Sequence, residues 1–278
     1  MRIPRFFLFP ADLERAGTLR DHSPLEIGER SQVDQIRNVL RLRTGAQIDV
    51  LDMQANIYRC EIVELSPNMV RTRVVEIATA EGDPPVDLIV GMSMIKGDRF
   101  ETALQKLTEI GVRCMVPLIT ERTVVRGDDT TGDAKRDSAA SKKLQRWQAI
   151  AREAAEQSER ASIPQISPPV KLSTFLSDFT TGGKLDIAFI CAERLQAGLL
   201  RDKLHSPAVA DKNSKTSDQM QKRMQIGLLI GPEGGWSELE VVSAEERGWQ
   251  PVSLGRRILR AETAAIISAA QIICTFES

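Results

Sequence analysis

The stretch IGLLIGPEGGWSELEVVSAEERGWQPVSLGRRILRAETA, residues 226–264, decides how the rest of the chain is read. It opens on an apolar run, Ile226 to Ile230, short and branched enough to be a buried strand. Gly231-Pro232-Glu233-Gly234-Gly235 follows as a tight turn, because Gly accepts positive φ and Pro lacks a backbone donor. Ser237 then starts a helix, Glu240 completes a capping box, and Gly248 ends the helix. A second strand, Pro251 to Leu254, runs into Gly255 and a basic pair. The last helix begins near Arg260, with Ala264, Ile267, Ala270, Gln271 and Cys274 on neighbouring turns. Two strands thus each end in a Gly-bearing turn that feeds a helix. In an open α/β sheet both turns lie at the carboxyl ends of strands, where ligands bind. GPEGG lacks the lysine of a phosphate loop and the glycine spacing of a dinucleotide fingerprint. Spacing alone leaves either a ligand pocket of unspecified content or a pair of ordinary strand-to-helix connections.

The 278 residues suit one large domain or two modest ones. Hydrophobic content of 42% and charged content of 27% are those of a soluble globular protein. No apolar run approaches membrane-spanning length and residues 1–30 carry no secretory pattern, so a cytoplasmic protein with no membrane partner is expected. Cys60, Cys114, Cys191 and Cys274 are isolated, and His22 and His205 stand alone, which argues against a disulfide framework or a metal site. A net charge of −1 argues against nucleic-acid binding by bulk charge and leaves local patches open. Up to residue 82 every cationic side chain is Arg; the first Lys is Lys96. Arg suits phosphates and base edges, but acidic residues balance this segment, so surface salt bridges are the competing reading.

Residues 1–82 read as a small β-rich domain. Phe6–Phe9, Gln47–Leu51, Tyr58–Leu65 and Met69–Ile77 are its strand candidates, the last alternating Val70, Thr72 and Val74 against Arg71 and Arg73. Val33 to Leu42 has helical spacing, with Val33, Ile36, Val39 and Leu40 inward and Arg37 and Arg41 four apart on one face. Glu81-Gly82-Asp83-Pro84-Pro85 is the boundary. From residue 86 onward strands and helices alternate. Leu88–Ile95, Cys114–Ile119 and Ile187–Cys191 are buried strands, and Asp98 with Glu101 forms a capping box for a helix that buries Phe100, Leu104, Leu107 and Ile110 and stops at Gly111. This pattern predicts an α/β fold whose parallel sheet is covered on both faces. Residues 127–143 and 201–225 read as solvated loops, the second a flexible insertion.

GPEGGWSELE followed by VSLGRRILRAETAA resembles the signature of the RsmE-type 16S rRNA (uracil-N3) methyltransferases of the SPOUT superfamily. Lys96–Val112 (KGDRFETALQKLTEIGV) and Glu121–Arg126 (ERTVVR) resemble the family's central motif, and the likeness continues through Leu144–Trp147 and Ala154–Ser158. The opening MRIPRFF and Asn38–Leu42 (NVLRL) resemble its first domain. The chain departs from the family pattern at Trp236 (usually Phe), at Leu51-Asp52-Met53 (usually FDG), in lacking a His ahead of VLRL, and at Glu159 (often Gly).

The resemblance implies a PUA-like RNA-binding β-barrel over residues 1–82 and a SPOUT domain over 86–278 whose last helix forms a trefoil knot. It implies S-adenosylmethionine as cofactor, met by the backbone of Leu229, Ile230, Gly231, Pro232, Glu233, Gly234 and Gly235 and of Leu254 to Leu259. Ile230, Leu254, Ile258 and Leu259 would flank the adenine, or simply pack in the core, and Gly255 would let the main chain approach. The imide nitrogen of uracil is a poor nucleophile until its proton leaves, so the site needs a base or a cation. Arg260 and Glu262 are the candidates: Arg260 to hold the uracil oxygens or a phosphate, Glu262 to orient Arg260 or take the proton. Thr263 would bond the substrate or cap the helix, and Glu233 would lie near the cofactor or hold the turn. Arg2, Arg5, Arg37 and Arg41 would hold RNA phosphates, and the partners implied are 16S rRNA of the 30S subunit and a second copy of the chain. Two other readings stay open, ribose 2′-O-methylation on the same fold and a non-catalytic RNA-binding assembly factor.

Overall fold

The computed structural model describes residues 3–52, 56–123, 133–180, 184–193, 197–210 and 223–277. The chain divides into two units, one of residues 1–83 with 155–163, the other of residues 84–154 with 164–278. Residues 155–163, read from the sequence as part of the second domain, therefore pack with the first. There the Glu156 carboxylate accepts the Phe7 N–H at 3.1 Å, and the buried Arg160 guanidinium pairs with Asp83 at 3.0 Å. Both contacts are long-range, and no local pattern announces them.

The first unit is built on a five-stranded sheet of β1 (Arg5–Phe7), β2 (Pro24–Ile27), β3 (Gln47–Leu51), β4 (Asn56–Leu65) and β5 (Val70–Thr79), in the order β1-β3-β4-β5-β2. β1 runs parallel to β3 and the other pairs are antiparallel. Alternation along β5 buries Val70, Thr72 and Val74 and exposes Arg71 and Arg73. The buried face meets Phe6, Leu25, Ile27, Ile48, Cys60 and Ile62 in one core. Helix α1 (Pro10–Ala16) follows β1, with Pro at its start where a missing N–H costs nothing.

The expected helix over Val33–Leu42 is shorter and differently wound. Helix α2 (Arg30–Asp34) passes into a π turn over Gln35–Val39, in which the Leu40 N–H bonds the Gln35 carbonyl at 2.9 Å. The wider turn rotates the side chains past it. Val33 and Ile36 stay buried, whereas Val39 is 73% and Leu40 39% exposed. Arg41 leaves the helix with φ of 51°, so Arg37 and Arg41 do not share a helical face.

The second unit holds β6 (Val86–Ser93), α3 (Arg99–Ile110), β7 (Cys114–Ile119), most of α4 (Asp133–Gln157), β8 (Gln165–Ile166), β9 (Val170–Lys171), α5 (Leu172–Thr180), β10 (Ile187–Cys191), α6 (Leu200–Leu204), β11 (Met224–Ile230), α7 (Glu238–Glu245), β12 (Gln250–Val252) and α8 (Ala261–Phe276). Every strand pair is parallel, in the order β12-β10-β11-β6-β7-β8, with β9 also on β7. The chain leaves β6 toward β7 and β8, then builds β10, β11 and β12 on the other side. β6 and β11 are neighbours, with Met92 opposite Ile230, so the order reverses at their carboxyl ends. That is where an open parallel sheet takes its ligand.

Three local expectations need correcting here. Asp98 occupies the N-cap of α3, but its backbone is already helical (φ −73°, ψ −4°) and its side chain caps nothing, so no capping box forms. Helix α4 begins at Asp133, inside the stretch read as a loop; residues 124–132 lie outside the described residues. Of the expected insertion, Leu204 and Val209 are buried and Met224 already belongs to β11, while 211–222 lie outside the described residues. No helix of the described residues is long and apolar enough to cross a membrane.

Candidate functional site

The GPEGG turn leaves the buried end of β11, where Leu229 and Ile230 are core residues at 0% and 1% exposure. Ser237 caps α7 as its sequence predicts: it accepts the Glu240 N–H, and Glu240 returns a bond to the Ser237 N–H at 2.9 Å. The other Glu240 oxygen accepts the Glu121 N–H at 2.8 Å, tying α7 to the turn after β7. From that same turn Arg122 donates to the Gly234 carbonyl at 3.0 Å, and a Cβ on Gly234 would stand 3.1 Å from the Arg122 side chain. Gly231 makes room in the same way for the Trp236 indole, whose Nε1–H bonds the Cys191 carbonyl at the end of β10 at 2.9 Å. Gly235, by contrast, is glycine for its backbone, with φ of 71°. Pro232 is buried, and Glu233 pairs with Arg99 at 2.9 Å, so this carboxylate fastens the turn to the start of α3.

Beyond β12, Ser253 braces the second turn through bonds of 3.2 Å with the Gly255 N–H and carbonyl. Gly255 has φ of 121°, a conformation that disfavours any side chain. Leu254 and Gly255 border a cleft of about 440 Å³ that is also lined by Leu199, Leu200, Arg201, Arg256, Arg257 and Gln271. Ile258 is 81% exposed, and the Leu259 N–H reaches a Glu193 carboxylate oxygen at 3.4 Å.

Arg260 is the N-cap of α8, in extended conformation, and its carbonyl accepts the Ala264 N–H at 2.8 Å. Thr263 lies three residues inside the helix and so does not cap it, which removes one of its two expected roles. The Arg260 side chain is exposed and makes no ion pair with Glu262. Glu262 thus does not orient Arg260. Its Oε2 is buried and has no hydrogen-bond partner among the described residues. Nearby, burial pushes the Cys191 thiol up to about 12 and that of Cys114 to about 11, so both are neutral and inert at physiological pH. Among the described residues no group of three or more His, Cys, Asp or Glu could hold a metal ion.

In the first unit the expected RNA-facing arginines fare unequally. Arg2 lies outside the described residues. Arg5 is half-buried and donates to the Glu159 carbonyl. Arg37 is half-buried and Arg41 exposed, neither with an ion pair among the described residues. Arg59, Arg71 and Arg73 all pair with carboxylates on the sheet face. Sequence reasoning did not single out Arg99, Arg122, Glu193, Arg201 or Gln271. Arg99 and Arg122 stand inside the quoted KGDRFE and ERTVVR motifs, which was the available signal.

The chain has a parallel sheet with one braced glycine turn at its switch point and another after the edge strand β12, and the class it falls in is that of the RNA methyltransferase domains, whose family model matches residues 82–273. The chain is 33% identical to the ribosomal RNA small subunit methyltransferase E of Synechocystis over 89% of its length and 72% of the relative's, and 30% identical to that of Bacillus subtilis over 87% and 86%. It belongs to the ribosomal RNA small subunit methyltransferase E family. Among solved structures it is similar to a methyltransferase E of Neisseria gonorrhoeae bound to S-adenosyl methionine (27% identity, TM-score 0.75, 97% of this chain and 96% of that one). It is equally similar to a Legionella pneumophila protein described as a methyltransferase in complex with the cofactor SAM (26% identity, TM-score 0.76, 98% and 97%).

Proposed function

We propose that this protein methylates N3 of a uridine in 16S rRNA, in the decoding region of the small ribosomal subunit, with S-adenosylmethionine as the methyl donor. Relatives that are ribosomal RNA small subunit methyltransferases support the rRNA substrate, and similar structures with S-adenosylmethionine bound support the cofactor. The residues present fit that cofactor: the turn after β12 carries a glycine with φ of 121° whose Cβ position opens on free space, so its main chain can be approached without a side chain in the way. The backbone of Leu229 to Gly235 and of Leu254, Gly255, Ile258 and Leu259, with Thr263, would hold it, and it supplies an electrophilic methyl group on a sulfonium.

The observation that carries the acceptor assignment is the buried, partnerless Oε2 of Glu262 at the start of α8. A buried acceptor without a donor is costly, of order 1–3 kcal/mol, and is kept where a ligand supplies the donor. The N3–H of uracil is such a donor, and a carboxylate can take its proton as the nitrogen becomes nucleophilic. Arg260, exposed and free of acidic partners, would stabilise the negative charge left on the uracil oxygens. Arg122 holds the GPEGG turn through the Gly234 carbonyl, Arg99 holds it through the Glu233 carboxylate, and Glu240 ties α7 to the turn after β7.

The first unit is read as a PUA-like barrel that binds RNA. Its π turn supports this reading, because it presents exposed Val39 and Leu40 between Arg37 and Arg41, apolar surface for bases beside cations for phosphates. A C-terminal trefoil knot in the second unit and a homodimer belong to the same proposal. The test is incubation with labelled S-adenosylmethionine and small subunits lacking the modification, followed by nucleoside analysis. N3-methyluridine is the expected product. A ribose-methylated nucleoside would overturn the acceptor, and intact RNA binding without any product would overturn the enzyme.

A further inference from the structure

Arginine meets acid over much of the described surface. Arg59, Arg71, Arg73, Arg99, Arg146 and Arg160 each have a carboxylate within 3.1 Å. Arg256 and Arg257 do not. Both are exposed, and neither has an ion pair or hydrogen bond among the described residues. Arg201, which lines the same cleft, is 71% exposed, and its carboxylate neighbour is the adjacent Asp202, itself 67% exposed, at 3.3 Å. The three cations surround one concavity of about 440 Å³ with apolar surface from Leu199, Leu200 and Leu254 and a carboxamide from Gln271 of α8. No residue of Leu229–Gly235, nor Glu262 or Thr263, lines it.

We propose that this cleft is an anion subsite that holds the phosphodiester backbone of single-stranded RNA beside the target nucleotide. The inference rests on the RNA methyltransferase reading and extends it to a second contact region within the catalytic unit. Three guanidinium groups around one cavity match phosphate oxygens in charge and in fork geometry, and an apolar wall suits a ribose or an unstacked base. With a net charge of −1 the whole chain offers no bulk attraction to RNA, so a local cluster of unneutralised arginines has to supply it. The other anion within reach of such a cluster is the carboxylate of the cofactor, and the two sources separate experimentally.

The experiment measures binding of a 16S rRNA fragment as a function of salt for the wild type, for Arg256→Gln combined with Arg257→Gln, and for Lys106→Gln, which removes a charge elsewhere on the same unit. S-adenosylmethionine affinity and thermal melting are recorded for each. Each single-strand phosphate contact contributes roughly 0.7 to the slope of log K against log salt, so the double variant should flatten it by about 0.7–1.4 and bind about 10-fold more weakly at low salt. Cofactor affinity and melting should hold, and Lys106→Gln should leave the slope unchanged. An unchanged slope in the double variant overturns the proposal; if cofactor affinity falls at the same time, the arginines belong to the cofactor. Methylation is scored in the same samples. Failure of the functional reading would appear as no product from the wild type, whereas failure of this inference appears only in the variant's slope.

Discussion

Two carboxylates with buried oxygens, one in each unit, differ in how those oxygens are satisfied among the described residues. Asp52, at the end of β3, is satisfied: one oxygen accepts the Asn56 N–H at 3.1 Å, the other the Asn56 side-chain amide at 2.7 Å and the Tyr58 hydroxyl at 2.9 Å. Glu262, at the start of α8, has a buried oxygen with no donor. A network with every member bonded rigidifies the strand connection around it, and an acceptor left open is a place for something else to bind. The arginines repeat the lesson: Arg59, Arg71 and Arg73 are neutralised across the sheet of the first unit, whereas Arg256 and Arg257 beside the cleft of the second have no acidic partner among the described residues. Residue type is shared; the partners decide the role.

The sharpest way to break the contrast is Glu262→Gln. Methyl transfer should fall by about 10²–10⁴-fold, the range for loss of a general base, while the melting temperature holds or rises. A variant that unfolds instead would make Glu262 structural and erase the difference. Asp52→Asn should do the reverse, lowering stability by about 1–3 kcal/mol in chemical denaturation with turnover per folded molecule retained.

Tyr58 gives the same network an optical readout, since it is the chain's single tyrosine. Burial and the bond to Asp52 push it from 10.0 up to about 12. A folded value above the unfolded one means that its stabilising contribution is whole below pH 10 and is lost as pH rises through about 12. Tyrosinate absorbance should titrate near the higher value in the native protein and move back toward the ordinary one in Asp52→Asn.

Glu159 could be mistaken for a second functional outlier. It sits at φ of 59°, the left-handed conformation, at the position where the resembled family often has Gly. Glu159→Gly should stabilise the protein by up to about 1 kcal/mol and leave turnover untouched; lost activity would give the strain a purpose. The smallest effect is expected from Arg73→Gln. Its exposed pair with Glu61 should be worth under about 1 kcal/mol, and rRNA affinity should not change.

Much of the second unit was legible because its signals are local. The strands Cys114–Ile119 and Ile187–Cys191 and the Ser237–Glu240 capping box were read as they stand, since an apolar run or a capping pair needs no distant partner. The first unit was less so. Val39 and Leu40 follow helical spacing yet point to solvent, because one π turn resets the phase of everything after it. At Asp98 the residue types of a capping box are present, but the backbone is already helical and no box forms.

The sequence by itself determined the alternation of strands and helices and the two glycine turns at strand ends. Each of these depends on residues within a few positions of one another. Only the tertiary structure decided that Gly231 and Gly234 make room for Trp236 and Arg122, that the arginines of the first sheet are neutralised, and that a Glu262 oxygen is left without a donor. Burial and pairing are relations between residues far apart in the chain, and a one-dimensional pattern carries no term for them.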